Sequence, residues 1–480
     1  MVRSKVIFNY MGKILIIIGI AMLLCVSWSI YYGEDIVWKL TFVSLFTILT
    51  GVSLSITFRN NQALNYREGF AIVSIGWIVA SIFGSLPYVV SGHVFTYADA
   101  IFETVSGFST TGATIFSDVE ILPKSLLFWR SLTQWLGGMG IMALFIAITV
   151  GIGVRGNQIF RAEIPGPVSN KISPRIRETA KYLWLTYVAI SAVLFLLLWL
   201  FGMDLFDALC HTFSTMATGG FSTRNQSIGY YGPVIQWIII VFMFIGGTNF
   251  ALHYFAFTKR TLSGYFQNKE FKFYALIVLV ATVLSTIGLL SIYGVGENLR
   301  TSLFHVVSIM TTTGFVTADY NSWFSLNKAV ILVLMFIGAS AGSTSGNIKV
   351  GRYLIMFQRA KIELRQMVHP RALISLRFGD KVLNDSLIIN VLQFFFIYMM
   401  IILIGTVIMG ALGLDLLTGF TAVVACMGNV GPGFGAVGPT SNYAFIPDVG
   451  KYILSVIMLL GRLEIYPLLV LFLPEYWKDR

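Results

Sequence analysis

Charge is scarce in this 480-residue chain: Asp, Glu, Lys and Arg make up 11% of it, against 56% hydrophobic residues. So little charge cannot cover a water-soluble domain, and the composition points to an integral membrane protein. Cysteine is nearly missing. Cys25, Cys210 and Cys426 lie inside hydrophobic or repeated segments, which gives neither a disulfide framework nor a metal motif and suits packing. The five histidines are scattered, and no set of nucleophile, base and oxyanion donors is visible, so the chain does not read as an enzyme. The stretch 151–156, GIGVRG, matches the dinucleotide fingerprint in form, but it follows a hydrophobic helix and opens no βαβ unit. No cofactor is therefore expected on this chain.

Long apolar runs are plentiful. Windows of about 20 apolar residues, the length that crosses a hydrocarbon core, occur near 13–31, 37–57, 70–90, 125–152, 182–202, 233–257, 273–293, 327–348, 387–410 and 451–473. They predict an all-α integral membrane fold with ten transmembrane helices. The first run is followed by the acidic turn YYGED without a small-residue cleavage site, so it reads as a retained helix. Lys and Arg gather at the termini and in the loops 58–69, 153–181, 258–272 and 349–386. By the positive-inside rule both termini are cytoplasmic. The net charge of +11 is thus an expression of topology, with the lipid bilayer as partner and no nucleic acid.

A short segment too brief to span a bilayer recurs four times: 99–114, 207–222, 301–316 and 418–433, reading DAIFETVSGFSTTGAT, DALCHTFSTMATGGFS, TSLFHVVSIMTTTGFV and TGFTAVVACMGNVGPG. Aligned on Gly112, Gly220, Gly314 and Gly431, each has a small residue six places earlier (Ser106, Ser214, Ser308, Ala425) and Thr or Asn two places earlier (Thr110, Thr218, Thr312, Asn429). Each copy lies between two crossings, and the second crossing repeats as well: WLGGMGI, FIGGTNF, FIGASAG and LLGRLEI align on Gly137, Gly246, Gly338 and Gly461. Gly137, Gly246 and Gly461 suit close helix approach more than gating. The unit is helix, re-entrant pore helix, filter strand, helix, and four units predict fourfold pseudo-symmetry around one pore. The expected divisions are 1–57, an N-terminal two-helix addition, followed by repeats at 58–153, 154–258, 259–368 and 369–480.

A twelve-residue helix covers about 18 Å, so each segment must stop inside the membrane. Irregular backbone is tolerated at that depth only where it lines water or protein. Carbonyls on a shared axis can replace an ion's hydration shell, and four short-helix dipoles favour a cation. The predicted filter is Thr110, Thr111 and Gly112; Thr218, Gly219 and Gly220; Thr312, Thr313 and Gly314; and Asn429, Val430 and Gly431. Asp99, Glu103, Asp118, Glu120, Asp204 and Asp207 are expected to concentrate cations at its outer mouth.

Below the filter, 338–347 (GASAGSTSGN) has no large apolar residue although it lies in the second crossing of the third unit. It should unwind, placing Gly342, Ser343, Thr344, Ser345, Gly346 and Asn347 across the path as a gate; tight helix packing through small residues is the alternative. Arg462 stands where the other units carry Gly138, Gly247 and Ala339, about 18 Å before the helix end expected near Pro474. A charge so deep usually faces a bundle interior or an aqueous path. Arg462 is expected to face the pore and to bond the 342–347 loop when closed, with a structural Arg satisfied by helix carbonyls as the alternative. Glu464, two positions on, points to another face.

The segments FSTTGAT, ATGGFST, MTTTGFVT and GNVGPGFG, with QWLGGMGI, RAEIPGP (161–167), AGSTSGN and GRLEIYPLL, resemble the Trk/Ktr/HKT superfamily of potassium transporters, specifically its TrkH-type membrane subunits. The resemblance covers nearly the whole chain, including the two extra N-terminal helices. It implies potassium as substrate, held at the filter only. It also implies a bacterial cytoplasmic (inner) membrane location, a homodimer with one pore per subunit, and a TrkA-like cytoplasmic RCK partner that binds ATP, ADP or NAD. A sodium-transporting plant branch has Ser at the first filter glycine, and Gly112 matches the potassium pattern. The fourth segment departs from the others at Asn429, Val430 and Pro432, so selectivity should be less sharp than in a filter of four identical strands. The basic loops 154–181 and 349–386 either merely set orientation or form the docking face that the resemblance implies. The rival function is a secondary symporter coupling potassium entry to protons or sodium, which inverted repeats and intramembrane carboxylates would support.

Overall fold

The computed structural model describes residues 2–59, 65–151, 176–290, 292–370, 375–378, 381–383 and 385–478. Among these the chain is helical apart from one ladder of two-residue strands, Arg377–Phe378 with Lys381–Val382, and a single bridge between Ile337 and Ile348. The segment 152–175, with RAEIPGP and most of the GIGVRG match, lies outside the described residues.

All ten apolar stretches carry helix, but not all as one rod. Ser4–Tyr31, Val37–Thr57, Arg67–Ser91, Lys181–Leu200, Lys269–Leu289 and Asp385–Ala411 are each long and apolar enough to cross a membrane, and Lys124–Gly151 runs for 28 residues. The third unit's second crossing stops at Leu334, and helix resumes only at Val350. The expectation of continuous crossings at 233–257 and 451–473 needs correction. Pro233–Gly246 and Phe250–Lys259 meet at 98°, and Asp448–Arg462 and Tyr466–Phe472 at 117°. At the first break Asn249 accepts from Ala251 N and starts a new helix. At the second, Glu464 and Ile465 take left-handed φ of 55° and 69°, and Pro467 offers no amide to continue the previous helix. The helix therefore ends at Arg462, and a depth counted along it towards Pro474 does not hold.

The breaks satisfy one another. Ser340 N donates to Gly247 O at 3.0 Å, Thr344 N to Gly246 O at 3.3 Å and Phe250 N to Gly342 O at 3.0 Å. The loop 335–349 of the third unit thus supplies the partners that the broken helix of the second unit lacks, which is what lets irregular backbone persist in an apolar setting.

Four short helices, Tyr97–Phe108, Leu205–Met216, Val295–Met310 and Leu416–Met427, sit inside this frame. Three have side-chain N-caps: Thr96 accepts from Asp99 N, Asp204 from Asp207 N and Asp415 from Thr418 N. The third has Gly294 at that position and is 16 residues long. The N-terminal pair, Ser4–Tyr31 with Val37–Thr57, packs backbone to backbone: a Cβ on Gly12 would lie 2.6 Å from Gly51 O and 2.6 Å from Ser55 N. Gly12→Leu is expected to force these helices apart at a cost of about 1–3 kcal/mol. A lowered thermal midpoint in detergent, with ion selectivity retained, would show it.

Candidate ion-conduction site

Each short helix ends in the same way. The residue after the last turn, Thr110, Thr218, Thr312 or Asn429, has φ of 56°, 52°, 58° or 54°. The next amide reaches back five residues: Thr111 N to Ser106 O at 2.9 Å, and Gly219 N to Ser214 O, Thr313 N to Ser308 O and Val430 N to Ala425 O at 2.8 Å. This is a Schellman cap, usually closed by glycine, here built on Thr or Asn in all four copies. The chain turns left-handed again two residues later, at Gly112, Gly220, Gly314 and Gly431, with φ of 80°, 80°, 76° and 94°.

The glycines are required by their neighbours as well as by φ. A Cβ on Gly112 would collide with Gly219 O, one on Gly220 with Thr313 O, one on Gly314 with Val430 O, and one on Gly431 with Thr111 O. The contacts run from the first segment to the second, third and fourth and back to the first, a closed ring. All four glycines line one cavity of about 180 Å³. The small residue six places before the glycine has its reason too: Ser106 Oγ donates to Ala113 O at 2.5 Å and Ser308 Oγ to Phe315 O at 2.6 Å, pinning the outgoing strand. Gly137 and Gly461 press on the ends of the first and fourth short helices, where a Cβ would strike Phe108 O and Met427 O.

The predicted filter residues are brought together, and the 342–347 loop lies against them. Gly346 N donates to Thr312 Oγ1 at 2.7 Å. Thr344 Oγ1 is 3.3 Å from Thr218 Oγ1 and donates to Met216 O at 3.0 Å. Asn347 Nδ2 donates to Met335 O at 2.6 Å, and its Oδ1 accepts from Tyr398. Ser343 and Ser345 share a hydroxyl contact at 2.8 Å, and Gly342 has φ of 74°. Arg462, 2% exposed, donates to Thr344 O at 2.7 Å and to Gly137 O at 3.1 Å, so it joins the loop to the first unit. Glu464 pairs with Arg352 at 2.6 Å. Asn429 Nδ2 bonds Thr111 Oγ1 and Met458 O, each at 3.0 Å, crossing from the fourth segment to the first.

The acidic mouth needs correction. Glu103 is buried against Arg130 at 2.8 Å, Asp207 against Arg224 at 2.8 Å and Asp99 against Lys451 at 2.6 Å. The cavity above the glycines is lined by Arg130 and Arg224 and, among the described residues, by no carboxylate. Glu103 and Asp99 accept from backbone amides, and Asp207 from the side chains of Thr223, Arg224 and Tyr231. Asp118, on the loop before Lys124–Gly151, accepts from Asn225 Nδ2 at 2.7 Å, and this bond with that from the Glu120 amide holds its carboxyl below the usual range.

Sequence reasoning did not read one column of residues as clamps. Nine places before the glycine stand Glu103, His211 and His305. Glu103 accepts from Ile115 N and Thr114 Oγ1, His211 Nε2 contacts Ser222 Oγ at 3.0 Å and His305 Nε2 contacts Ala318 O at 3.1 Å. Each clamps the strand that leaves its own short helix. The repeat alignment itself was the available signal. Glu270, buried beside the loop, was also missed.

Arg130→Ala should cost about 3–5 kcal/mol, because it strands the buried Glu103 charge. Adding Glu103→Gln should recover part of that, since the amide can still accept from Ile115 N. Thermal melting of the single and double variants in detergent measures both.

The family model for TrkH, described as a cation transport protein, matches residues 39–479. The Trk system potassium uptake protein TrkH of Salmonella typhimurium is 41% identical over 428 residues, covering 88% of each chain. That of Halomonas elongata is 37% identical over 99% of each. The crystal structure of the potassium transporter TrkH from Vibrio parahaemolyticus superposes with a TM-score of 0.91 at 33% identity, covering 99% of this chain and 100% of that one. With the four-segment ring and a family match over nearly its whole length, this chain belongs to the TrkH family of cation transport proteins, transporters and not enzymes.

Proposed function

We propose that this chain is the pore-forming subunit of a potassium uptake system, conducting through a filter made of Thr110 to Gly112, Thr218 to Gly220, Thr312 to Gly314 and Asn429 to Gly431. The observation that carries this reading is the closed ring of glycine and carbonyl contacts, since four strands meeting head to neighbour enclose a single path. The relatives' names supply potassium. Residues 342–347 and Arg462 form the gate: loop and guanidinium are bonded to each other and, through Thr312 and Gly137, to the filter's surroundings.

The finer parts of the reading are these. Units begin near 58, 154, 259 and 369, with 1–57 as an addition. The chain lies in the bacterial inner membrane with both termini cytoplasmic. It forms a homodimer, a part that rests on the family resemblance alone. A cytoplasmic RCK subunit carrying ATP, ADP or NAD controls opening. The relatives are named as parts of a system, and the helix Val350–Val368, which begins directly after the loop, exposes Lys361 and Arg365.

Flux from liposomes containing the purified chain tests the proposal. Potassium should run down its gradient without a coupling ion. Gly314→Ser should bring the potassium and sodium rates together, because its Cβ displaces Val430 O. Arg462→Ala should raise the flux about a hundredfold through loss of two charged hydrogen bonds. A requirement for a proton or sodium gradient would replace the pore with a symporter.

A further inference from the structure

Two buried ionisable side chains beside the loop serve neither the filter nor Arg462. Glu270, the second residue of Lys269–Leu289, is 1% exposed. Its Oε1 accepts from Ala341 N at 2.7 Å, and the Gly351 amide also acts on this carboxylate. Gly351 lies in the first turn of Val350–Val368, where unpaired amides and the helix dipole favour an anion. One side chain from a separate helix thus holds both the start of the loop and the start of the helix that follows it.

Lys349 closes the other end. It directly precedes Val350–Val368 and is 9% exposed. Its ammonium donates to Ser345 O, and also reaches Ser345 Oγ at 3.2 Å and Gly346 O at 3.3 Å. The Gly346 N–H in turn donates to Thr312 Oγ1 in the filter segment. The other charges nearby are engaged elsewhere: Arg352 pairs with Glu464 and lies 3.9 Å over the Phe394 ring, and Arg462 bonds Thr344 O.

We propose that Glu270 and Lys349 are positioning residues that hold the intramembrane loop shut from its two ends, so that the loop and the helix Val350–Val368 move as one body when the path opens. This rests on the pore reading above. A displacement of that helix by anything acting on its cytoplasmic end withdraws Lys349 from the 345–346 carbonyls and Gly351 from Glu270 together, and the loop loses both supports.

The test uses the full chain in liposomes, with Glu270→Gln, Lys349→Met and Lys349→Arg. The first two should raise downhill potassium flux about tenfold, the scale of one charged hydrogen bond. The potassium-to-sodium ratio should not change, because the filter is untouched. Lys349→Arg, which keeps cationic donors, should return the flux towards the starting level. The three native cysteines are buried, so Ser343→Cys gives a second reading: a water-soluble thiol reagent should label it faster when Lys349→Met is also present. Unchanged flux and labelling, or an Arg variant as leaky as the Met variant, overturns the proposal. If the parent chain itself passes no potassium downhill, the pore reading fails instead.

Discussion

The structure depends on a steric exchange between neighbouring repeats: the carbonyl oxygen of one segment fills the space where the preceding segment would carry a side chain. Gly112, Gly220, Gly314 and Gly431 each have a left-handed φ and each meets the next carbonyl in turn. Once that ring exists, the short helices must end at one depth and the second crossings must approach closely, which is why Gly137 and Gly461 press on Phe108 and Met427. The strands leaving the ring must then be held from behind. Glu103, His211 and His305 do so in three repeats, and Thr421, bonded to both Phe434 N and Phe434 O, does so in the fourth.

The price of this centre is broken helix, and the breaks are complementary. The second unit's interruption at 246–250 is paired with the third unit's loop, and Arg462, at the end of the fourth unit's shortened helix, joins that loop to the first. Three of the four second crossings are therefore interrupted while Lys124–Gly151 stays whole. The four units resemble one another closely at the filter and diverge beneath it.

Much of this was legible in the sequence. The four ring segments showed themselves because a glycine and a Thr or Asn two residues earlier recur in four places, and the structure needs both at positive φ. The loop at 338–347 showed itself by its lack of large side chains. The breaks at 246–250 and 462–466 did not, since GGTN and GRLE read as tolerable helix and what ends each helix is a partner elsewhere or a residue in the left-handed region. Glu103, Asp207 and Asp99 were misread as mouth carboxylates for a related reason. Sequence supplies a charge but not its counterion, and Arg130, Arg224 and Lys451 come from other elements.

Because the ring is complete within one polypeptide, no stoichiometry of subunits enters its formation. In a channel assembled from four identical chains, one defective chain spoils pores shared with healthy ones. Here an altered Gly314 is confined to the molecule that carries it. In a cell expressing both versions, every ring is therefore either wholly altered or wholly intact.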